Sequence, residues 1–234
     1  MEEWHSRRAE EFVGRFARAW GPGETDALVE LLHPSVKLRQ PLLPAMNGHE
    51  QVRATLSRLI RAFDGIRANV RGWGLGAGSL FIQFDLVLPS ARSLRWGAVD
   101  RFRFLGGRAI ERITYFDFRE LFRGVLTRPH VLVASVRERI LSLGAFPRGS
   151  TDGIDFTRHR TELGPLEFRE LVFRAGPRRE RSPWLGVECK AAGSPGPGRQ
   201  YFASPGPDLI PRPVLALLAA TPRAWSGAVA KDVE

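Results

Sequence analysis

Residues 95–117, RWGAVDRFRFLGGRAIERITYFD, constrain the fold more than any other stretch of the chain. They read as two paired strands around a tight turn at Gly106 and Gly107. From Trp96 onward one row holds Trp96, Ala98, Asp100, Phe102 and Phe104, and the opposite row holds Gly97, Val99, Arg101, Arg103 and Leu105. Side chains alternate between the faces of a strand, so Asp100 shares the face of the aromatic residues while both arginines point away. A carboxylate on an apolar face costs on the order of several kcal/mol unless it is paired or protonated. Asp100 is therefore the first candidate for a functional residue.

The preceding chain supplies what such a hairpin packs against. Phe12, Val13, Phe16 and Trp20 recur at helical spacing, predicting a helix from about Glu3 to Trp20. Thr25 can cap a second short helix carrying Leu28, Leu31 and Leu32, which should stop before Pro34. Val36, Leu38 and Gln40 alternate with Lys37 and Arg39 as a short strand, with Gln40 on the inner row. A third helix places Val52, Leu56, Leu59, Ile60 and Phe63 on one side. Strands follow at 66–73, 80–88, 95–105 and 109–116. The row Leu80, Ile82, Phe84, Leu86 and Leu88 should face the helices; Phe81, Gln83, Asp85 and Val87 form a mixed outer row. Helices first and an antiparallel meander after them imply an α+β domain.

Organisation changes near residue 127. Five of the 17 prolines precede it and twelve follow, in stretches such as AGSPGPGRQ and SPGPDLIPRP. Residues 1–127 are thus read as the domain, and residues 128–234 as a Pro/Gly/Arg-rich extension expected to be largely irregular and poorly ordered. Short helices are allowed at 131–143 and 214–220, and a strand or helical turn at 167–173.

Charge and cysteine usage exclude several classes. The net charge of +10 divides evenly, +5 on each side of residue 127, with acids interleaved and no basic block, which argues against nucleic acid. A single cysteine, Cys189, leaves no internal disulfide and no cysteine-rich metal site, and the five histidines lack metal-ligand spacing. His33 and His49 fall at a helix end and a helix start, where caps are common. The glycines of RGWGLGAGS (71–79) lack the lysine and helix of a phosphate loop and read as a flexible connection. No apolar run is long enough to span a bilayer. A soluble, cytoplasmic protein without metal or cofactor is expected.

VDRFRF (99–104) resembles the ketosteroid isomerase strand that carries the acid bonded to the substrate oxyanion, and ITYFDFREL (113–121) resembles the closing segment of the limonene-epoxide hydrolases. With the order of elements and the strand ending before Gln40 and Pro41, residues of about 8–123 resemble the nuclear transport factor 2-like, or SnoaL-like, superfamily. The resemblance implies a cone-shaped domain, with N-terminal helices packed on a strongly curved, mostly antiparallel sheet and a pocket between them. Members include isomerases, epoxide hydrolases, polyketide cyclases and non-catalytic binding modules. Asp100 falls on the isomerase acid, but Gln40 stands where the base would be and Phe16 where the oxyanion-hole tyrosine would be. The epoxide hydrolase set falls near Phe84, Leu86 and Thr114. Both catalytic sets are mostly absent, so the residues leave open whether the domain is an enzyme.

The expected pocket is lined by Phe16, Trp20, Gln40, Met46, Phe84, Ala98, Phe102 and Arg112, with Asp100 as the catalytic candidate. Asp100 is either protonated by desolvation, and so a hydrogen-bond donor to a ligand oxygen, or held ionised by Arg112; the two arrangements shift its pKa in opposite directions. The expected ligand is a small apolar molecule bearing one oxygen function, with acid-assisted isomerase, cyclase or epoxide hydrolase turnover as the enzymatic form. The alternative is a non-catalytic binding or dimerisation module, with a second copy pairing on the outer sheet face.

Overall fold

The computed structural model describes residues 6–20, 25–41, 43, 45–62, 66–76, 78–88, 94–127, 154–155, 161, 163–173 and 184–203. The helices allowed at 131–143 and 214–220 lie outside the described residues. Helix α1 (Ser6–Ala19) buries Ala9, Phe12, Phe16 and Ala19, the i, i+3, i+4 stripe read from the sequence. Helix α2 (Thr25–Glu30) ends two residues earlier than expected, and strand β1 (Leu32–Arg39) already begins at Leu32. Pro34 sits inside β1 because the parallel pairing of β1 is broken between Leu32 and Lys37, where no ladder bond needs the missing N–H. The short β2 (Met46–Asn47) pairs with β1, and α3 (Gly48–Ala62) follows.

The meander is β3 (Arg67–Gly76), β4 (Ser79–Leu88), β5 (Leu94–Leu105) and β6 (Arg108–Phe116), each pair antiparallel, with β1 lying parallel to β6. Leu80, Ile82, Phe84, Leu86 and Leu88 face the helices and join one core with Phe12, Phe16, Val52 and Leu56. Helix α4 (Phe118–Leu126), absent from the sequence reading, is capped by Asp117, whose Oδ1 accepts the Glu120 amide at 3.0 Å. His33 and His49 both serve the backbone: His33 Nδ1 accepts the Ser35 amide, and His49 Nε2 bonds the Leu32 carbonyl oxygen at 2.9 Å.

Part of the extension is ordered into strands. After β7 (Ile154–Asp155) come β8 (Leu166–Phe173), β9 (Trp184–Ala191) and β10 (Arg199–Phe202), antiparallel to one another. Only the first of the three had been singled out in the sequence, as a strand or a helical turn. β10 reaches β6 at Phe202 and Phe116, and Leu75 of β3 bridges Leu163 just before β8, so the sheet curls until it nearly closes. The outer row of the cone sheet is therefore covered by strands of the same chain. Phe81, Val99, Ile113 and Tyr115 form a second core with Phe168, Val187, Cys189 and Tyr201.

The glycine run is not a flexible connection. Gly72 and Gly74 lie within β3, pressed by β8: a Cβ at Gly74 would stand 2.5 Å from the Leu166 carbonyl oxygen, and one at Gly72 2.7 Å from a Leu166 methyl. Glycine is required there by close approach of another strand.

Both tyrosines of the chain sit in this second core. Burial pushes the Tyr115 phenol well above its ordinary value, with the Arg101 charge opposing. Burial likewise pushes Tyr201 up to about 12, opposed by the hydrogen bond that Gln83 Nε2 donates to its oxygen at 2.6 Å. Each phenol holds its proton more tightly folded than unfolded, so its contribution to stability is complete below the ordinary value of 10.0 and is lost as pH rises through the folded values. An absorbance titration at the tyrosinate band should therefore show no independent step at pH 10; the signal should rise together with loss of the circular dichroism of the fold.

Candidate functional site

The hairpin β5–β6 decides which side chains enter the cone. Gly106 (φ 57°) and Gly107 (φ 76°) form a two-residue turn with both central residues left-handed, pairing Leu105 with Arg108. Continued without interruption, that register would place Asp100 opposite Ile113 and turn Arg112 outward. A bulge intervenes: Phe104 faces Ala109 but Arg103 faces Glu111, leaving Ile110 as the extra residue. One inserted residue flips every later side chain of β6. Thr114 thereby comes opposite Asp100, and Arg112 comes opposite Phe102, all on the inner face.

The result is a buried ion pair inside an aromatic shell. Asp100 is fully buried and Arg112 is 2% exposed. Arg112 donates from Nε to Asp100 Oδ2 at 2.9 Å, with Nη2 2.7 Å from the same oxygen, and Thr114 Oγ1 donates to Oδ1 at 2.6 Å. The guanidinium carbon lies 5.7 Å from the ring centres of Phe16 and Phe102 and 5.9 Å from that of Trp20. Such contacts stabilise a desolvated cation. Phe84 closes the shell, 5.4 Å from Phe16 and 6.4 Å from Trp20.

The geometry pairs Asp100 with Arg112, while the net shift of the Asp100 pKa is upward, the direction expected of desolvation. Burial pushes the Asp100 carboxyl above its ordinary range, while the Arg112 charge and the Thr114 and Arg112 hydrogen bonds pull it back. The guanidinium does not give up its proton. A neutral Asp100 would strand that buried cation, so the carboxylate is the form this geometry requires. An ionised carboxylate only accepts hydrogen bonds. All three donors found here point at Asp100, and it has no proton to offer a ligand.

The other expected residues gather around the same layer. Met46, Leu38, Arg112, Phe102 and Leu80 lie in register across β2, β1, β6, β5 and β4, and Ala98 pairs with Phe84. Gln40 lies two residues beyond Leu38, at the level of Thr114, and all of these residues are buried. The Trp20 Nε1 and Gln40 Oε1 atoms are buried with no hydrogen-bond partner. Such atoms cost about 1–3 kcal/mol each. Thr114 is the one member of the cluster whose role was not read from the sequence, because the bulge that aims it leaves no composition signal. Among the described residues, Asp100 and Arg112 are the only buried ionisable groups on this inner face; Asp85 and Glu188 are buried elsewhere. No cluster of His, Cys, Asp or Glu among the described residues could hold a metal ion, and no described helix is long and apolar enough to cross a membrane.

Residues 13–112 match the family model of the SnoaL-like domain. No curated protein matches the chain in sequence. Solved structures similar to the chain include an LEH-like epoxide hydrolase of M. tuberculosis (18% identity, 54% of this chain and 96% of that one, TM-score 0.45). An NTF2-like protein of Burkholderia pseudomallei (20% identity, 50% and 95%, TM-score 0.44) and a protein of Catenulispora acidiphila with a ketosteroid isomerase-like fold (15% identity, 49% and 91%, TM-score 0.43) are also similar. The region that encloses the Asp100–Arg112 pair is thus similar to the SnoaL-like domain over residues 13–112.

Proposed function

We propose that the cone binds a small, largely apolar molecule bearing one oxygen function, without proton donation from Asp100. The observation that carries this reading is that Trp20 Nε1 and Gln40 Oε1, like Trp96 Nε1, are buried without a partner, in an interior of Phe16, Phe84, Phe102 and Met46 beside the Asp100–Arg112 pair. Buried polar groups are almost always partnered, and the exceptions call for a reason. A ligand hydroxyl answers the needs of Trp20 and Gln40, accepting from the indole N–H and donating to the amide oxygen. Arg112, with two of its five N–H groups directed at Asp100, is the second donor on offer.

Enzymatic turnover of the isomerase, cyclase or epoxide hydrolase type requires a group that takes or gives a proton. Gln40 cannot, and Asp100 is committed to Arg112 and Thr114. Binding is therefore the function the geometry supports best.

The test is thermal denaturation against matched apolar alcohols, ketones and hydrocarbons of equal size. Alcohols should raise the midpoint most, and Gln40→Leu should abolish the preference of alcohol over ketone while leaving the protein folded. Equal shifts for alcohol and hydrocarbon in the wild type would overturn the assignment.

A further inference from the structure

The three extension strands meet the cone in an unusual way. Their own ladders are long: β8 pairs with β9 over eight residues, and β9 with β10 over four. Among the described residues, main-chain pairing with the cone is found at two points. One is the Phe202–Phe116 pair. The other is the Leu75–Leu163 bridge, with N–O distances of 2.8 and 3.0 Å. Elsewhere the docking combines the close backbone approach at Gly74 with side-chain contacts. Phe168 stacks on Phe81 with ring centres 5.3 Å apart, Glu170 pairs with Arg101 and bonds the Tyr115 hydroxyl, and Tyr201 accepts from Gln83. At the rim, Arg199 lies 2.7 Å from both Asp117 and Glu120. The far face of the same strands is charged, with Glu167 opposite Lys190 and Arg169 paired to Glu188. This is an amphipathic meander laid on an apolar sheet face, and residues 128–162 separate it from the last helix of the cone.

We propose that residues 163–203 are a separable clasp occupying an interaction surface of the cone in cis, and that lifting the clasp lets that surface pair with a second copy of the chain. The surface suits that occupant. Phe81, Val99, Ile113 and Tyr115 are each at most 3% exposed under the clasp and lie in two neighbouring cross-strand rows, Phe81–Arg101–Ile113 and Gln83–Val99–Tyr115, so without the clasp they would form an apolar patch around Arg101. An uncovered patch of this kind requires a partner. Arg101 sits within this patch, between Phe81 and Ile113, and pairs with Glu111 at its edge at 2.9 Å within one chain. A two-fold contact sets each patch against its own copy, so Arg101 of one molecule can meet Glu111 of the other. The clasp holds the arginine with Glu170 in place of that exchange.

The test uses the full chain and variants confined to the clasp. Glu170→Lys sets a like charge against Arg101, and Phe168→Asp removes the stacked ring. Mass is read by light scattering over a range of concentrations, and the state of the cone is read by tryptophan fluorescence. The wild type should have the mass of one chain, 26.2 kDa, at every concentration. Both variants should keep a folded cone, lose amide protection in β8–β10 and shift to twice that mass as concentration rises. Adding Val99→Glu, on the newly bared patch, should return them to one chain. The proposal is overturned by a wild type that is already dimeric. It is equally overturned by clasp variants that stay monomeric with a folded cone, or by loss of the whole fold in both variants, which would make the clasp inseparable.

Discussion

Arg112→Met should destabilise the domain by about 3–5 kcal/mol at neutral pH, the usual cost of removing one partner from a buried ion pair. Methionine fills a similar volume among Phe16, Trp20 and Phe102, so the loss reports mainly the carboxylate left behind. Asp100→Asn should cost a comparable amount by stranding the guanidinium. The double variant should recover most of the loss, because neither charge then remains to be buried. Chemical denaturation of all four proteins checks this as a double-mutant cycle, and additive losses would show that the two groups do not act as a pair.

The pH dependence carries a definite sign. Burial already raises the Asp100 pKa in the wild type, and without Arg112 nothing charged opposes it. A carboxyl with a raised folded-state pKa costs stability above that pKa and is relieved as pH falls towards its unfolded value, about 3.9. Arg112→Met should therefore close part of its gap to the wild type as the pH is lowered from neutrality, checked by chemical denaturation across the acidic range. A gap that widened on acidification would contradict the burial of Asp100.

Phe81→Ala should be nearly as damaging, at about 3–5 kcal/mol, since it removes a buried ring from a packed core. Its consequence should differ in kind. Phe81 faces the second core and stacks on Phe168, whereas the next residue along, Ile82, faces the cone interior. The loss should fall first on the docking of β8–β10, seen by hydrogen exchange as reduced protection at 166–173 and 184–191, with protection of β5 and α1 retained. An equal loss across all strands would mean that the two cores unfold as one.

These expectations trace to what a sequence does and does not reveal. The cone was legible because its strands alternate cleanly and its helices carry stripes: Leu80 to Leu88 and Phe12 to Phe16 behave as their spacing requires. Asp100 was legible because it breaks an apolar row. Its partner was legible only as an alternative, because the side on which Arg112 falls depends on whether Ile110 is bulged. Periodicity does not mark a bulge; the shift follows from closing the sheet. The clasp was harder to see. Its last strand has only four residues, and proline- and glycine-rich segments dominate the composition around the strands. The informative signal lay elsewhere, in Gly72 and Gly74 of the cone, small because Leu166 and Phe168 press upon them. A glycine alternation on an outer row marks where another strand lies close.

The clasp also imposes an order in time. Contacts inside the cone hairpin join residues 12 and 14 positions apart, whereas those seating the clasp join residues 69 and 118 apart. Loop closure favours the near pairs, and during synthesis the cone leaves the ribosome well before Tyr201 exists. If the clasp is separable as proposed, every newly made molecule passes through an interval in which its cone is formed and its outer sheet face is uncovered. Crowding on a polysome, translation speed through residues 128–162 and the presence of chaperones act on that interval. On that reading, the yield of correctly closed chains depends on the length of this interval as well as on the stability of the finished fold.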